Sequence, residues 1–118
     1  MKIVLLFLAV LCLQSSPFAQ SYSFQPTDEY IGEADLEAYN IFQVNLVNTS
    51  NDSLYLNWRL VENTLPETWE ISLCDNVACY GGLPTMAEMD PFAAGDSAFI
   101  KLDINPGIQE GSGLLRFR

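Results

Sequence analysis

Histidine is absent from the 118 residues, and only five side chains are cationic against fifteen acidic ones. The first absence removes histidine-based catalysis, whether as a triad base or a zinc ligand. The second removes nucleic-acid binding, because five scattered cations cannot form the basic face that neutralises a phosphate backbone. Cysteine is sparse, with three residues, and long apolar runs are limited to one, Ile3 to Leu13. Those eleven residues are too few to span a bilayer as a helix, which takes about 20. No internal repeat or low-complexity linker appears, and the length suits one domain.

What is there begins with an export label. Met1-Lys2 gives a short positive start, Ile3 to Leu13 an apolar stretch, and Gln14-Ser15-Ser16-Pro17 a polar, turn-prone exit. This is the layout of a cleavable signal peptide covering residues 1–19, cut after Ala19 with Pro17 at the −3 position. Ser16 offers a second exit. Cys12 raises the lipoprotein alternative, but Ala9-Val10-Leu11 lack the small pair that a lipobox places before its cysteine. Loss of residues 1–19 takes Lys2 with it, leaving four cations against fifteen acids, a net charge of −11. A chain so charged stays soluble by self-repulsion and avoids anionic surfaces. The expected location is secreted or at the cell surface, with no membrane insertion after cleavage.

Cys12 leaves with the leader, so the exported chain holds Cys74 and Cys79. An even count in an oxidising compartment reads as a disulfide. The four intervening residues, Asp75-Asn76-Val77-Ala78, contain a turn-forming pair. The redox alternative fits poorly, since thioredoxin-like chemistry uses Cys-x-x-Cys and a cationic neighbourhood, whereas Asp75 would raise a thiol pKa. Two thiols without histidine also make an incomplete metal site.

From residue 38 onward apolar residues alternate with period two, the mark of half-buried strands. Phe42, Val44 and Leu46 share one face. Leu54, Leu56, Trp58 and Leu60 share another, with Tyr55, Asn57 and Arg59 opposite. Trp69, Ile71 and Leu73 lead into Cys74, and Ala98, Ile100, Leu102 and Ile104 form a further face. Turns are expected at Asn48 to Asp52, Thr64 to Glu67, Asn105-Pro106-Gly107 and Gly111-Ser112-Gly113. The segment 20–37 reads as a strand or irregular lead-in. Six or seven short strands imply an all-β, immunoglobulin-like two-sheet antiparallel β-sandwich over residues 38–118, with Trp58 and Trp69 in its core. Leu114 to Arg118 forms a last strand with nothing to blunt its edge. It reads either as a last strand that ends abruptly or, the favoured reading, as the point where a longer parent chain is cut, and as an edge open to strand addition.

Asn48-Thr49-Ser50, Leu56-Asn57-Trp58, Leu65-Pro66-Glu67-Thr68-Trp69-Glu70 and Cys74-Asp75-Asn76-Val77-Ala78-Cys79-Tyr80, with Ala94-Gly95-Asp96-Ser97 and Gly111-Ser112-Gly113 downstream, carry a family resemblance. Over residues 38–118 the chain resembles the immunoglobulin-like domains of secreted bacterial proteins associated with type IX secretion. The resemblance implies a sandwich outside the cell and no catalytic residues. The C-terminal sorting domain of such proteins has no counterpart here.

No spacing selects a catalytic pair from the fifteen acids, and Ser97 and Ser112 lack a base, so no catalytic residue is assigned and the chain is expected not to be an enzyme. Calcium has oxygen ligands to hand at Asp28-Glu29 with Glu33-Asp35, or at Asp90 with Asp96, but neither set follows a calcium-loop pattern, so no cofactor or metal is assigned. The stretch 80–92 is long for a loop, and its Tyr80, Leu83, Met86, Met89 and Phe92 suit recognition of a protein or glycan. The alternative is that these side chains fold back over an open end of the sandwich. The resulting expectation is a non-catalytic exported accessory module, whose partners are other domains of a parent chain or a surface protein or glycan. The alternative is a binding domain that uses residues 80–92.

Overall fold

A computed structural model describes residues 21–118, so the expected signal peptide lies outside the described residues. The described residues are all-β, with eight strands and no helix. In chain order these are β1 (Tyr22–Gln25), β2 (Asn40–Asn48), β3 (Asn57–Asn63), β4 (Glu70–Asp75), β5 (Cys79–Tyr80), β6 (Met86–Glu88), β7 (Ser97–Asn105) and β8 (Leu115–Phe117). They make two antiparallel sheets, one ordered β1-β2-β7-β4-β5 and the other β6-β3-β8.

The period-two pattern sets the faces. In β2, Leu46 is buried and Phe42 and Val44 half-buried, while Ile41 and Gln43 are exposed. β7 buries Ala98 and Ile104 on the same side, in the register Phe42↔Leu102, Val44↔Ile100 and Leu46↔Ala98. β4 adds Leu73, fully buried, opposite Leu102. Against this layer β3 sets Trp58, which shares the core with Leu46, Leu73, Met89, Phe92 and Ala98. Phe117 of β8 meets the Trp58 ring edge to face at 5.6 Å, a favoured aromatic geometry.

Several local readings change in detail. Leu54 stands outside β3 and forms an isolated bridge with Phe92. β1 falls within the segment read as strand or lead-in and pairs with the second half of β2. The rest of that segment is irregular, pinned by Asn40, whose Nδ2 donates to the carbonyls of Asp35, Ala38 and Ile104. Trp69 is half-buried rather than core. It precedes β4, and its indole Nε1 donates to the Gln109 carbonyl at 3.0 Å. Gly111-Ser112-Gly113 forms neither a turn nor a strand. Its glycines permit close approach, since a Cβ at Gly113 would lie 2.6 Å from the Thr64 carbonyl oxygen and one at Gly111 2.7 Å from Pro66. Asn105-Pro106-Gly107 does turn, with Gly107 at φ 61° and its N–H held by Asn105 Oδ1.

Two features shape the surface around the core. One end is closed by Asn48, only 1% exposed. Its Nδ2 donates to the carbonyls of Asp52 and Phe92 at 2.8 and 3.0 Å, and its Oδ1 accepts from the N–H and hydroxyl of Ser50. One side chain therefore ties β2, the 49–53 turn and the strand-like segment at Phe92 together. On the β8 side the sheets do not cover one another fully. An open cleft of about 1240 Å³ runs between Phe42, Val44 and Ile100 on one sheet and Leu115 and Phe117 on the other.

Asn48→Ala should lower unfolding free energy by about 1–3 kcal/mol, because it removes the four hydrogen bonds that this buried side chain makes. The exposed neighbour Asn51→Ala should change it by less than about 0.5 kcal/mol. Urea denaturation of the two variants side by side checks the contrast.

Candidate functional site

The two cysteines and the 80–92 segment meet at one corner of the molecule. β4 and β5 form a hairpin in the register Leu73↔Tyr80 and Cys74↔Cys79. Cys74 and Cys79 are disulfide-bonded across it, with Cα atoms 4.0 Å apart. Strand alternation points the bridge to the outer face of the five-stranded sheet and turns Leu73, Asp75 and Tyr80 toward the core.

Asp75 is the unusual group here. It is 4% exposed, and a carboxylate taken from water must be matched by donors. Oδ2 accepts from Trp58 Nε1 at 2.9 Å and from the Tyr80 hydroxyl at 3.3 Å. Oδ1 accepts from the backbone N–H groups of Val77 and Ala78 at 2.9 and 3.1 Å. Burial alone would raise the carboxyl's pKa, but these four donors favour the anion more strongly, and the pKa sits below its ordinary value. Tyr80 shifts the opposite way: burial and then the adjacent Asp75 charge raise its phenol. A carboxylate held ionised and saturated with donors is a poor proton acceptor, so its chemistry is that of a clamp.

The clamp joins the two sheets, since Trp58 belongs to β3 and Asp75 ends β4. It also shapes the hairpin loop by accepting two of its N–H groups. The loop is hooked to the next segment in turn. Asn76 Nδ2 donates to the Asp90 carbonyl at 2.8 Å, and the Asp90 N–H donates back to Asn76 Oδ1 at 3.2 Å.

The five residues singled out in 80–92 separate under this frame. Met89 and Phe92 lie in the core at 6% exposure each. Tyr80 and Leu83 pack partly buried against it, Tyr80 edge to face with Trp58 at 6.4 Å. Met86 alone is exposed, at 56%. It lies in β6 opposite Arg59, and alternation sends Ala87 inward and Met86 outward. The stretch is thus partly a strand, fastened to residues 54–60 by hydrogen bonds such as Met89 N–H to the Leu56 carbonyl at 2.9 Å. A three-residue strand is too short to show a period in sequence.

Among the described residues no three histidine, cysteine or acidic side chains converge as a metal site, the sets at Asp28 to Asp35 and at Asp90 with Asp96 included. Sequence reasoning missed Asn48, Asp75 and Asn76 as structural hubs. All three stood in turn clusters, and the available signal was that Asp75 immediately follows a buried alternating run.

Two predictions concern this corner. Because the folded carboxyl of Asp75 ionises below its ordinary value of 3.8, the clamp's contribution is whole above that value and disappears as pH falls through the lower folded value. Asp75→Asn should flatten the acid side of the stability profile in that window. At neutral pH it should be less stable by about 1–3 kcal/mol, since its amide NH2 faces existing donors. Denaturation from pH 7 down to 2 gives both readings. Reduction of Cys74–Cys79 should cost about 2 kcal/mol, as expected for a loop this small, and calorimetry with and without reductant measures it. No protein-family model, curated protein or solved structure matches the chain.

Proposed function

We propose that this chain is a non-catalytic, exported, immunoglobulin-like accessory module of a secreted or cell-surface protein. The observation that carries the reading is strand order. In immunoglobulin sandwiches the sheets are A-B-E-D and C-F-G. Here β1-β2-β7-β4 runs in the A-B-E-D order and β3-β8 takes the places of C and F. The short β5 and β6, inserted between the strands in the D and E places, are this chain's own elaboration.

Two further points support the reading. A disulfide of the structural kind belongs to oxidising compartments, and Cys74–Cys79 stiffens a hairpin already held by Asp75. The polar groups at the conspicuous corner are committed to holding loops, as the saturated Asp75 illustrates. A scaffold that fixes its loops in this way suits presentation or spacing within a larger assembly. Type IX secretion remains the export route that the resemblance implies.

Export makes a direct prediction. The chain recovered from outside the producing cell should begin at Gln20, with Cys74 and Cys79 oxidised. N-terminal sequencing with intact mass before and after reduction measures this, the mass rising by about two daltons as the thiols regain protons. Recovery only from the cytoplasm, still starting at Met1 and reduced, would sink the proposal.

A further inference from the structure

The cations of this acidic chain are unevenly placed. Of the four among the described residues, Arg59, Arg116 and Arg118 belong to the three-stranded sheet or its margin, and Lys101 lies in the other. Arg59 and Arg118 exchange two backbone hydrogen bonds, each 2.8 Å long. They therefore stand directly opposite one another, with side chains leaving the same face about 5 Å apart at Cβ. That face is the outer one, because Trp58 beside Arg59 and Phe117 beside Arg118 turn into the core. Like charges set opposite across a ladder work against the pairing. Fifteen acids are at hand, yet among the described residues the ion pairs are Arg116–Glu62 and Lys101–Asp103, and neither Arg59 nor Arg118 has one. An anion held between the two guanidinium groups relieves their repulsion.

The rest of the face gives the ligand's class. The stretch from Leu54 to Leu60 is paired first through Leu54 with Phe92 and then through β6. Its alternate positions Tyr55, Asn57 and Arg59 are all exposed, and the row they form is about 13 Å long. Tyr55, 78% exposed, offers an open ring with a hydroxyl at its tip, and Asn57 an amide that both donates and accepts. Met86, opposite Arg59, adds polarizable apolar surface. Glu88, opposite Asn57, accepts from hydroxyls and turns a ligand's carboxylate toward the arginine end. The backbone of β3 is paired by β6 and β8, so a ligand here meets side chains. A net charge of −10 repels a dense polyanion, so the anion arrives on a ligand that also brings hydroxyls and flat apolar faces. From the opposed arginines and the row Tyr55-Asn57-Arg59 together, we infer that the outer face of the three-stranded sheet binds a short acidic oligosaccharide through a ring carboxylate. Arg59 and Arg118 donate to the carboxylate, Asn57 bonds the hydroxyls beside it, and a neighbouring ring stacks on Tyr55. The inference goes beyond the accessory reading and uses neither strand order nor export, so failure of either leaves the other standing.

The test titrates the full chain, by calorimetry, with trimers of galacturonate, glucuronate and mannuronate and with their methyl-ester twins, which keep the rings and lose the charge. At least one acid trimer should bind about tenfold more tightly than its ester, as a charge-assisted pair of hydrogen bonds implies. Arg59→Gln and Arg118→Gln should each remove that preference while leaving ester binding within about twofold. Tyr55→Ala should instead weaken acid and ester by a similar factor, since stacking ignores the charge. All three positions are exposed, so an unchanged urea midpoint is expected and shows that the variants fold. Lys101→Gln, on the other sheet, should bind every trimer as the unaltered chain does. A glutamate pentapeptide, which has the charge without the rings, should bind about tenfold more weakly than the preferred trimer. Failure of all three acid trimers to bind, equal binding of acid and ester, or an acid preference that survives either arginine substitution overturns the inference. A glutamate peptide that binds as tightly as the sugars overturns the sugar as the occupant.

Discussion

The hydrogen bond from Trp58 Nε1 to Asp75 Oδ2, 2.9 Å long, is the constraint on which the architecture turns. Two sheets packed by apolar contact alone can slide, because the hydrophobic effect has no direction. A buried indole N–H has one direction and needs one acceptor. Placing that acceptor at the end of β4 fixes how far β3 lies along the other sheet. The fit is demanding because both groups lose if they part: Trp58 would bury an unsatisfied donor and Asp75 an under-solvated charge. Three further donors converge on the same carboxylate, so sheet alignment and hairpin shape are coupled through one group. The disulfide closes that hairpin covalently, and Asn76 carries its position on to Asp90.

Asn48 does comparable work from the other end. It adds a donor to the Phe92 carbonyl, which also accepts from Leu54 N–H, and one to the Asp52 carbonyl, which also accepts from the Ser50 hydroxyl. Between Asn48 and Asp75 the chain from Leu54 to Phe92 is held at both ends. This explains why a stretch rich in methionine and aromatics is packed inward: the backbone on either side is fixed, and Met89 and Phe92 fill the space beneath it. The exposed Met86 follows from the pleat of β6 and not from a different environment.

How much of this was legible follows from the physics of each feature. The faces of β2, β3, β4 and β7 were readable because a half-buried strand leaves a period-two trace, as in Leu54 to Leu60 and Ala98 to Ile104. The cysteine pairing was readable because the export reading left only two. Asp75 as a clamp was not, since an aspartate beside an asparagine reads as a solvated turn, and its burial depends on a tryptophan 17 residues away. Trp69 was misplaced because its alternation with Ile71 and Leu73 continues past the true strand start, and alternation does not mark where pairing begins. The Gly-Ser-Gly run gave a correct glycine requirement with the wrong cause: close approach to Thr64 and Pro66, not a turn.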